Sequence, residues 1–287
     1  MFRKLTGLLS AAIMVISFSA CGNKEKNDSD SAEKTVVGTT ESVYEDSKDE
    51  TVESTTEKTT KKDSPRHMLT IIDDDGCNTF YDIMLPIIEE KDISISTAIE
   101  TGNVGTEDYM TWEMIEECHN NGAEVLNHSR DHIYSKEDNE NRSEDEIKDD
   151  MVSSIEMLKE HGYAETADIY VYPGASAGRT WSIAKKYFRV GINSSGSKTN
   201  EKGFNRFNVS RYPVGSKEVP TYDEMKGYID EVASTNNGWQ IWMLHSHGGN
   251  ITSDAVEDIC RIIDYCKENN VEIVSAKEAL DYYDTLK

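Results

Sequence analysis

From residue 67 onward the apolar positions follow two alternating rhythms. Short apolar runs, the composition of strands buried on both faces, occupy residues 68–72, 93–99, 123–126, 168–172, 190–193, 208–213, 240–244 and 271–274. Between most of them stand stretches with apolar residues three and four apart, the spacing of an amphipathic helix: residues 81–91, 107–120, 144–161, 181–188, 221–232, 253–269 and 277–283. Gly162 follows the longest of these, where a helix commonly stops. Strand–helix alternation predicts a parallel sheet with helices outside it. Seven or eight strands suggest a barrel, complete or distorted.

The residues before this domain follow neither rhythm. Arg3 and Lys4 precede an apolar run over residues 5–20. Sixteen residues are too few for a spanning helix, which needs ~20, and basic start, apolar middle and small residues together predict a secretory signal. The run ends Phe18-Ser19-Ala20-Cys21-Gly22, which resembles the lipobox of bacterial lipoproteins. The resemblance implies that Cys21 is acylated and becomes the mature N-terminus. The protein would then sit outside the cell, attached to the bacterial cell membrane through its N-terminal lipid only. An ordinary signal with a chance cysteine is the other reading. Residues 22–66 hold 14 Ser or Thr, 12 acidic and 8 basic residues, and little that could be buried. Such a stretch predicts a disordered tether spanning about 35–40 Å. The expected organisation is a signal peptide (1–20), a lipidated cysteine and tether (21–66) and a folded domain (67–287).

Charge narrows the partners. The chain carries 30 basic and 54 acidic residues, a net −24, of which −22 falls on residues 67–287. That balance repels a polyanion, and no basic patch relieves it, so nucleic acid is excluded as a partner. A monomer is expected. Cys77, Cys118, Cys260 and Cys266 include no CxxC pair, which argues against a thiolate zinc site.

Chemistry collects where the strands end, the rim on which β/α barrels place their reacting groups. Asp73-Asp74-Asp75-Gly76 follows the first run and Asn127-His128-Ser129-Arg130-Asp131-His132 the third. Tyr172-Pro173-Gly174 follows the fourth, and His245-Ser246-His247 the run at 240–244. On one helical turn His128 and His132 would face the same way and could share a metal. Three consecutive acids repel one another, and a cation would relieve them. One of them would complete an open His₂Asp centre. Such a centre suits Zn²⁺ best, with Co²⁺ or Ni²⁺ able to substitute.

Asp74-Asp75-Gly76 resembles the TFDDG-type motif of polysaccharide deacetylases, the NodB-homology domain of carbohydrate esterase family 4. His128-Ser129-x-x-His132 matches that family's H-[ST]-x-x-H motif, Val171-Tyr172-Pro173-Gly174 is similar to its third motif, and His245 to its last. The resemblance implies a distorted (β/α)7–8 barrel of NodB-homology type. It also implies Asp74 as general base, His245 as general acid, and a metal held by Asp75, His128 and His132. The Tyr172-Pro173-Gly174 segment would line the oxyanion and substrate side, with the Gly174 N–H on the oxyanion. The substrate would be an N- or O-acetylated polysaccharide or oligosaccharide.

The chain also departs from the pattern. Asp73 stands where the family usually has an aromatic, and Val171 where the RxPY form has the Arg that buttresses the base. Arg211 is a candidate substitute for that Arg. The DxxDW motif is missing, which leaves the carboxylate partner of His245 unassigned. Two other readings fit part of the chain. Gly174-Ala175-Ser176-Ala177-Gly178 fits the G-x-S-x-G nucleophile elbow, with Asp223 or Asp230 and then His245 in order. A catalytically inactive, anchored glycan-binding protein is the other. Trp181 and Trp239 are candidates for stacking on sugar or for packing between helices.

Overall fold

The computed structural model describes residues 64–133, 141–174, 179–215, 219–247 and 251–286. The expected signal, Cys21 and nearly all of the tether, as well as Ser176, lie outside the described residues. Among the described residues no helix is long and apolar enough to cross a membrane.

Seven parallel strands close into a barrel: β1 (Met68–Asp73), β2 (Ser96–Ile99), β3 (Glu124–Asn127), β4 (Ile169–Val171), β5 (Val190–Gly196), β6 (Val209–Pro213) and β7 (Trp239–Leu244). β1 pairs with β7 along its whole length, from Met68 opposite Trp239 to Asp73 opposite Leu244. On its other side it meets β2 only at Ile72 and Asp73. Below that contact a two-residue strand, β8 (Glu272–Ile273), pairs with Met68 and Leu69 in the same gap. The eighth apolar run therefore fills the foot of the β1–β2 seam instead of adding a stave.

Helices cover the outside. A π-helical turn (Phe80–Met84) runs into α1 (Leu85–Lys91), followed by α2 (Trp112–Asn120), α3 (Glu144–Glu160), α4 (Arg179–Tyr187), α5 (Tyr222–Ser234), α6 (Ser253–Glu268) and α7 (Ala276–Thr285). Their starts are written locally. Ser143 with Glu146 and Thr221 with Glu224 form reciprocal capping boxes on α3 and α5. The helix expected from residue 107 starts only at Trp112, because Thr111 is its cap and accepts the Met114 N–H.

Strand parity sorts the core. Met68 and Ile72 on β1, Ile169 and Val171 on β4, Val209 on β6, and Trp239 and Ile241 on β7 fill the barrel. Residues of the opposite parity, Leu69, Ile71, Tyr170, Tyr212 and Trp242, pack outward against the helices. Trp239 is fully buried, with its Nε1–H donated to Thr70 Oγ1, so it is a packing residue with no face for sugar. Trp181 packs half-buried against the outer core. At the foot of the barrel, buried Glu124 accepts the Ser96 hydroxyl and the backbone N–H groups of Ala276 and Lys277, tying β3 to the start of α7. Cys77, Cys118, Cys260 and Cys266 are buried, and none of them forms a disulfide among the described residues.

Candidate metal centre and active site

The same parity places the chemistry. Two residues beyond the inward-facing Ile72 comes Asp74, two beyond Val209 comes Arg211, and four beyond Ile241 comes His245. Three strand ends thus aim polar groups into the barrel mouth. Across it, Arg211 Nη1 donates to Asp74 Oδ1 at 2.7 Å, with the guanidinium fully buried and the carboxylate nearly so. Arg211 Nε donates to the Asn193 carbonyl at 2.9 Å, while its Nη2 has no hydrogen-bond partner among the described residues. This fixes one oxygen of Asp74 and leaves Oδ2 facing His245 Nε2 at 4.0 Å.

Asp75 sits past the strand end at φ 79°, followed by Gly76 at φ 75°. A left-handed turn is strained for an aspartate, and such strain gathers at functional sites. The turn brings Asp75 Oδ1 to 3.3 Å from both His128 Nε2 and His132 Nε2. The three ligand-capable atoms all lie within 4.8 Å of one another. Oδ1 is buried and makes no hydrogen bond among the described residues. His128 Nδ1 is 2.8 Å from the Val171 carbonyl, which fixes the N–H there and turns the Nε2 lone pair toward Asp75. An orphaned carboxylate oxygen facing two imidazole nitrogens is what a divalent cation would satisfy, so these residues fit one.

The two histidines do not lie on a helical turn. Ser129 and His132 take positive φ, 68° and 52°, and the segment is a loop. Asn127 Oδ1 accepts the Ser129 N–H, Ser129 Oγ accepts the His132 N–H, and the Asp150 side chain on α3 accepts the Asp131 N–H. The rings end with centroids 5.0 Å apart, tilted by 60°. Spacing alone predicted their proximity; side-chain and α3 contacts produce it.

Electrostatics follow from burial. Burial alone would push Asp75 up, but the imidazoles of His128, His132 and His247 hold it well below the usual carboxylate range. Burial opposes a charge on His128, yet the carboxylates of Asp74, Asp75 and Glu100 outweigh it and raise its pKa. Burial lowers His245 despite the pull of Asp74 and Asp75. Its Nδ1 is buried without a hydrogen-bond partner among the described residues, so the place of the missing motif carboxylate is unfilled there. Asp73 is also buried, accepts the Ser246 N–H at 3.1 Å, and is pushed by burial up to about 7. It is therefore a tie between the β1 and β7 ends.

Tyr172 differs from its expected role. It has outward parity on β4, no exposed surface, and a hydroxyl donated to the Phe207 carbonyl. Its side chain belongs to the helix-facing core. Pro173 is buried and Gly174, at φ 56°, is half-buried at the edge of the described segment. Of the serine-elbow partners, Asp230 accepts the Tyr265 hydroxyl on the outer helices, and Asp223 lies in the first turn of α5. Neither is the carboxylate that faces His245.

Two site residues are not among those the motifs single out. Glu100 follows the end of β2, is buried, and stands 3.8 Å from His132 Nε2. Its inward parity, two positions after Ala98, was the available signal. His247 Nε2 lies 2.7 Å from Asp75 Oδ2. Its signal was the H-x-H spacing, which puts His245 and His247 on one side of an extended segment.

Residues 61–193 match the model of the polysaccharide deacetylase family. The Xyl-CE4 domain of a multidomain xylanase from the hindgut metagenome of Trinervitermes trinervoides is similar in structure, with a TM-score of 0.51 at 17% identity over 75% of this chain and 90% of that one. A family 4 acetyl xylan esterase from Clostridium thermocellum, in complex with a cobalt ion, gives 0.51 at 18% identity over 75% and 90%. A CE4 family pseudoenzyme from Bacillus anthracis gives 0.50 at 16% identity over 76% and 66%. These likenesses establish the fold as the (β/α)7 barrel of the CE4 type. No curated protein matches the chain.

Proposed function

We propose that this chain is a polysaccharide deacetylase: a metal-dependent hydrolase that removes acetyl groups from N-acetylated, and by the same chemistry O-acetylated, sugars of a cell-wall or extracellular polysaccharide. One observation carries the proposal. The buried Asp75 Oδ1, with no hydrogen bond among the described residues, faces His128 Nε2 and His132 Nε2 at 3.3 Å, beside an Asp74 tied to Arg211. The family match over residues 61–193 and the barrel shared with the esterases support it. A CE4 family pseudoenzyme shares the fold, so the proposal rests on the side chains at the barrel mouth and not on the barrel itself.

Asp75, His128 and His132 would hold the cation, Zn²⁺ by donor set, with Co²⁺ or Ni²⁺ as substitutes. When bound, such an ion supplies Lewis acidity that lowers the pKa of water toward ~7 and polarises an acetyl carbonyl. Asp74 accepts the proton of the attacking water at Oδ2, since Arg211 occupies Oδ1. His245 Nε2, 4.0 Å from Asp74 Oδ2, would take up the proton that Asp74 removes from the water and deliver it to the departing sugar nitrogen or oxygen, which returns both groups to their starting state. Arg211 holds the base in place and keeps its charge paired inside the barrel. Acylated at Cys21 and carried on residues 22–66, the barrel would work outside the cell membrane, a placement that the sequence pattern supports. Incorporation of labelled palmitate, lost in Cys21→Ala, tests it.

The function is tested by acetate release from a panel of acetylated glycans, with and without chelator and after zinc restoration. Release that chelation abolishes and zinc restores is expected. Chelator-insensitive release would overturn the scheme, and glycan binding with no release from any substrate would favour an inactive lectin.

A further inference from the structure

We propose that His247 is a positioning residue of the cation centre: it grips the outer oxygen of Asp75 so that the inner oxygen stays aimed at His128 and His132. The proposal rests on the reading of Asp75, His128 and His132 as a metal centre. The two oxygens of Asp75 have different surroundings. Oδ1 is buried, makes no hydrogen bond among the described residues and faces the two imidazoles at 3.3 Å. Oδ2 is 2.7 Å from His247 Nε2, the length of a charge-assisted N–H···O bond. A carboxylate that binds a metal through one oxygen can rotate unless its other oxygen is held.

Packing does not explain this contact, because the His247 side chain is 39% exposed. The backbone does prepare it. The Ser246 N–H donates to Asp73 Oδ1 at 3.1 Å, and the Thr79 and Ser246 hydroxyls are 2.9 Å apart. Residues on both sides of Asp75 thus pin the segment that carries His247 to the turn that carries Asp75. His245 shares the segment, with ring centroids 5.6 Å apart, but its Nε2 stays 3.9 Å from Asp75 Oδ2, beyond hydrogen-bond reach. The two histidines therefore play different roles, His247 holding the metal ligand and His245 facing the base.

Zinc affinity of the full chain, measured by competition with a chromophoric chelator, and the visible spectrum of the Co²⁺-loaded protein test the proposal without reference to turnover. His247→Ala should weaken zinc binding by about 10–100-fold and change the Co²⁺ bands. His247→Gln, whose amide N–H can reach Oδ2, should recover most of that loss. If the Ala variant unfolds, His247→Phe keeps a ring without the donor, and the same weakening is expected. Affinity within twofold of wild type in the Ala or Phe variant, with an unchanged spectrum, overturns the role of His247 alone. A wild-type protein that binds neither ion overturns both this inference and the metal-centre reading.

Discussion

Arg211 and Asp74 form the most exposed test of the site, because both are almost wholly out of solvent: side-chain exposures are 0% and 3%. Replacing Arg211 by Met keeps much of the stem and deletes the charge. Asp74 Oδ1 then loses its 2.7 Å donor and the Asn193 carbonyl loses its 2.9 Å one. Breaking a buried pair from one side leaves an uncompensated charge and costs about 3–5 kcal/mol. In an Asp74→Asn background no charge is stranded, so the same change should cost under about 2 kcal/mol. A coupling of about 2–3 kcal/mol is expected from the double-mutant cycle. Urea unfolding of the four proteins, extrapolated linearly, measures it. Equal costs in the two backgrounds, with coupling under about 0.5 kcal/mol, would show that the pair is not held by charge. Acetate release should fall in Arg211→Met and Arg211→Ala; undiminished turnover in the Ala variant would sink the claim that Arg211 positions the base.

Other outcomes follow from the same geometry. Burial raises Asp73 to about 7, so the native protein keeps a proton that the unfolded chain releases above about pH 4, and stability declines as pH rises through that window. In the chelated protein, wild type should lose about 2 kcal/mol relative to Asp73→Asn between about pH 5.5 and 8; parallel pH curves would contradict the buried acid. An alanine Cβ at Gly191 would stand 2.5 and 2.6 Å from Tyr172 Cε2 and Cζ, so Gly191→Ala should destabilise by about 1–3 kcal/mol, and an unchanged Tm would mean that the β4–β5 packing is looser than described. His245→Gln should lower kcat by about 10²–10⁴ with little change in KM, whereas a parallel loss in both would recast it as a binding group. Ser176→Ala should leave zinc-dependent release intact; loss of release there would revive the serine elbow.

The sequence determined what is local. Alternating short runs and helical stretches required a parallel α/β layer, and parity within each run set which residues face inward. That rule makes Asp74, Arg211 and His245 barrel-mouth groups and Tyr172, at the alternate parity just past β4, an outward core residue. The Asp-Asp and H-S-x-x-H spacings named the three candidate ligands. Tertiary structure decided the rest. Arg211 meets Asp74 across 137 positions of sequence, and His247 meets Asp75 across 172. Such pairs depend on how the sheet closes: β1 must lie beside β7 in the register that sets Asp73 against Leu244 before His247 can reach Asp75. The histidine loop needed α3 and two left-handed residues, not a helix. The last apolar run became a seam filler because β2 meets β1 only near its end. Periodicity records the face on which a residue lies; only closure of the barrel selects the residue across from it.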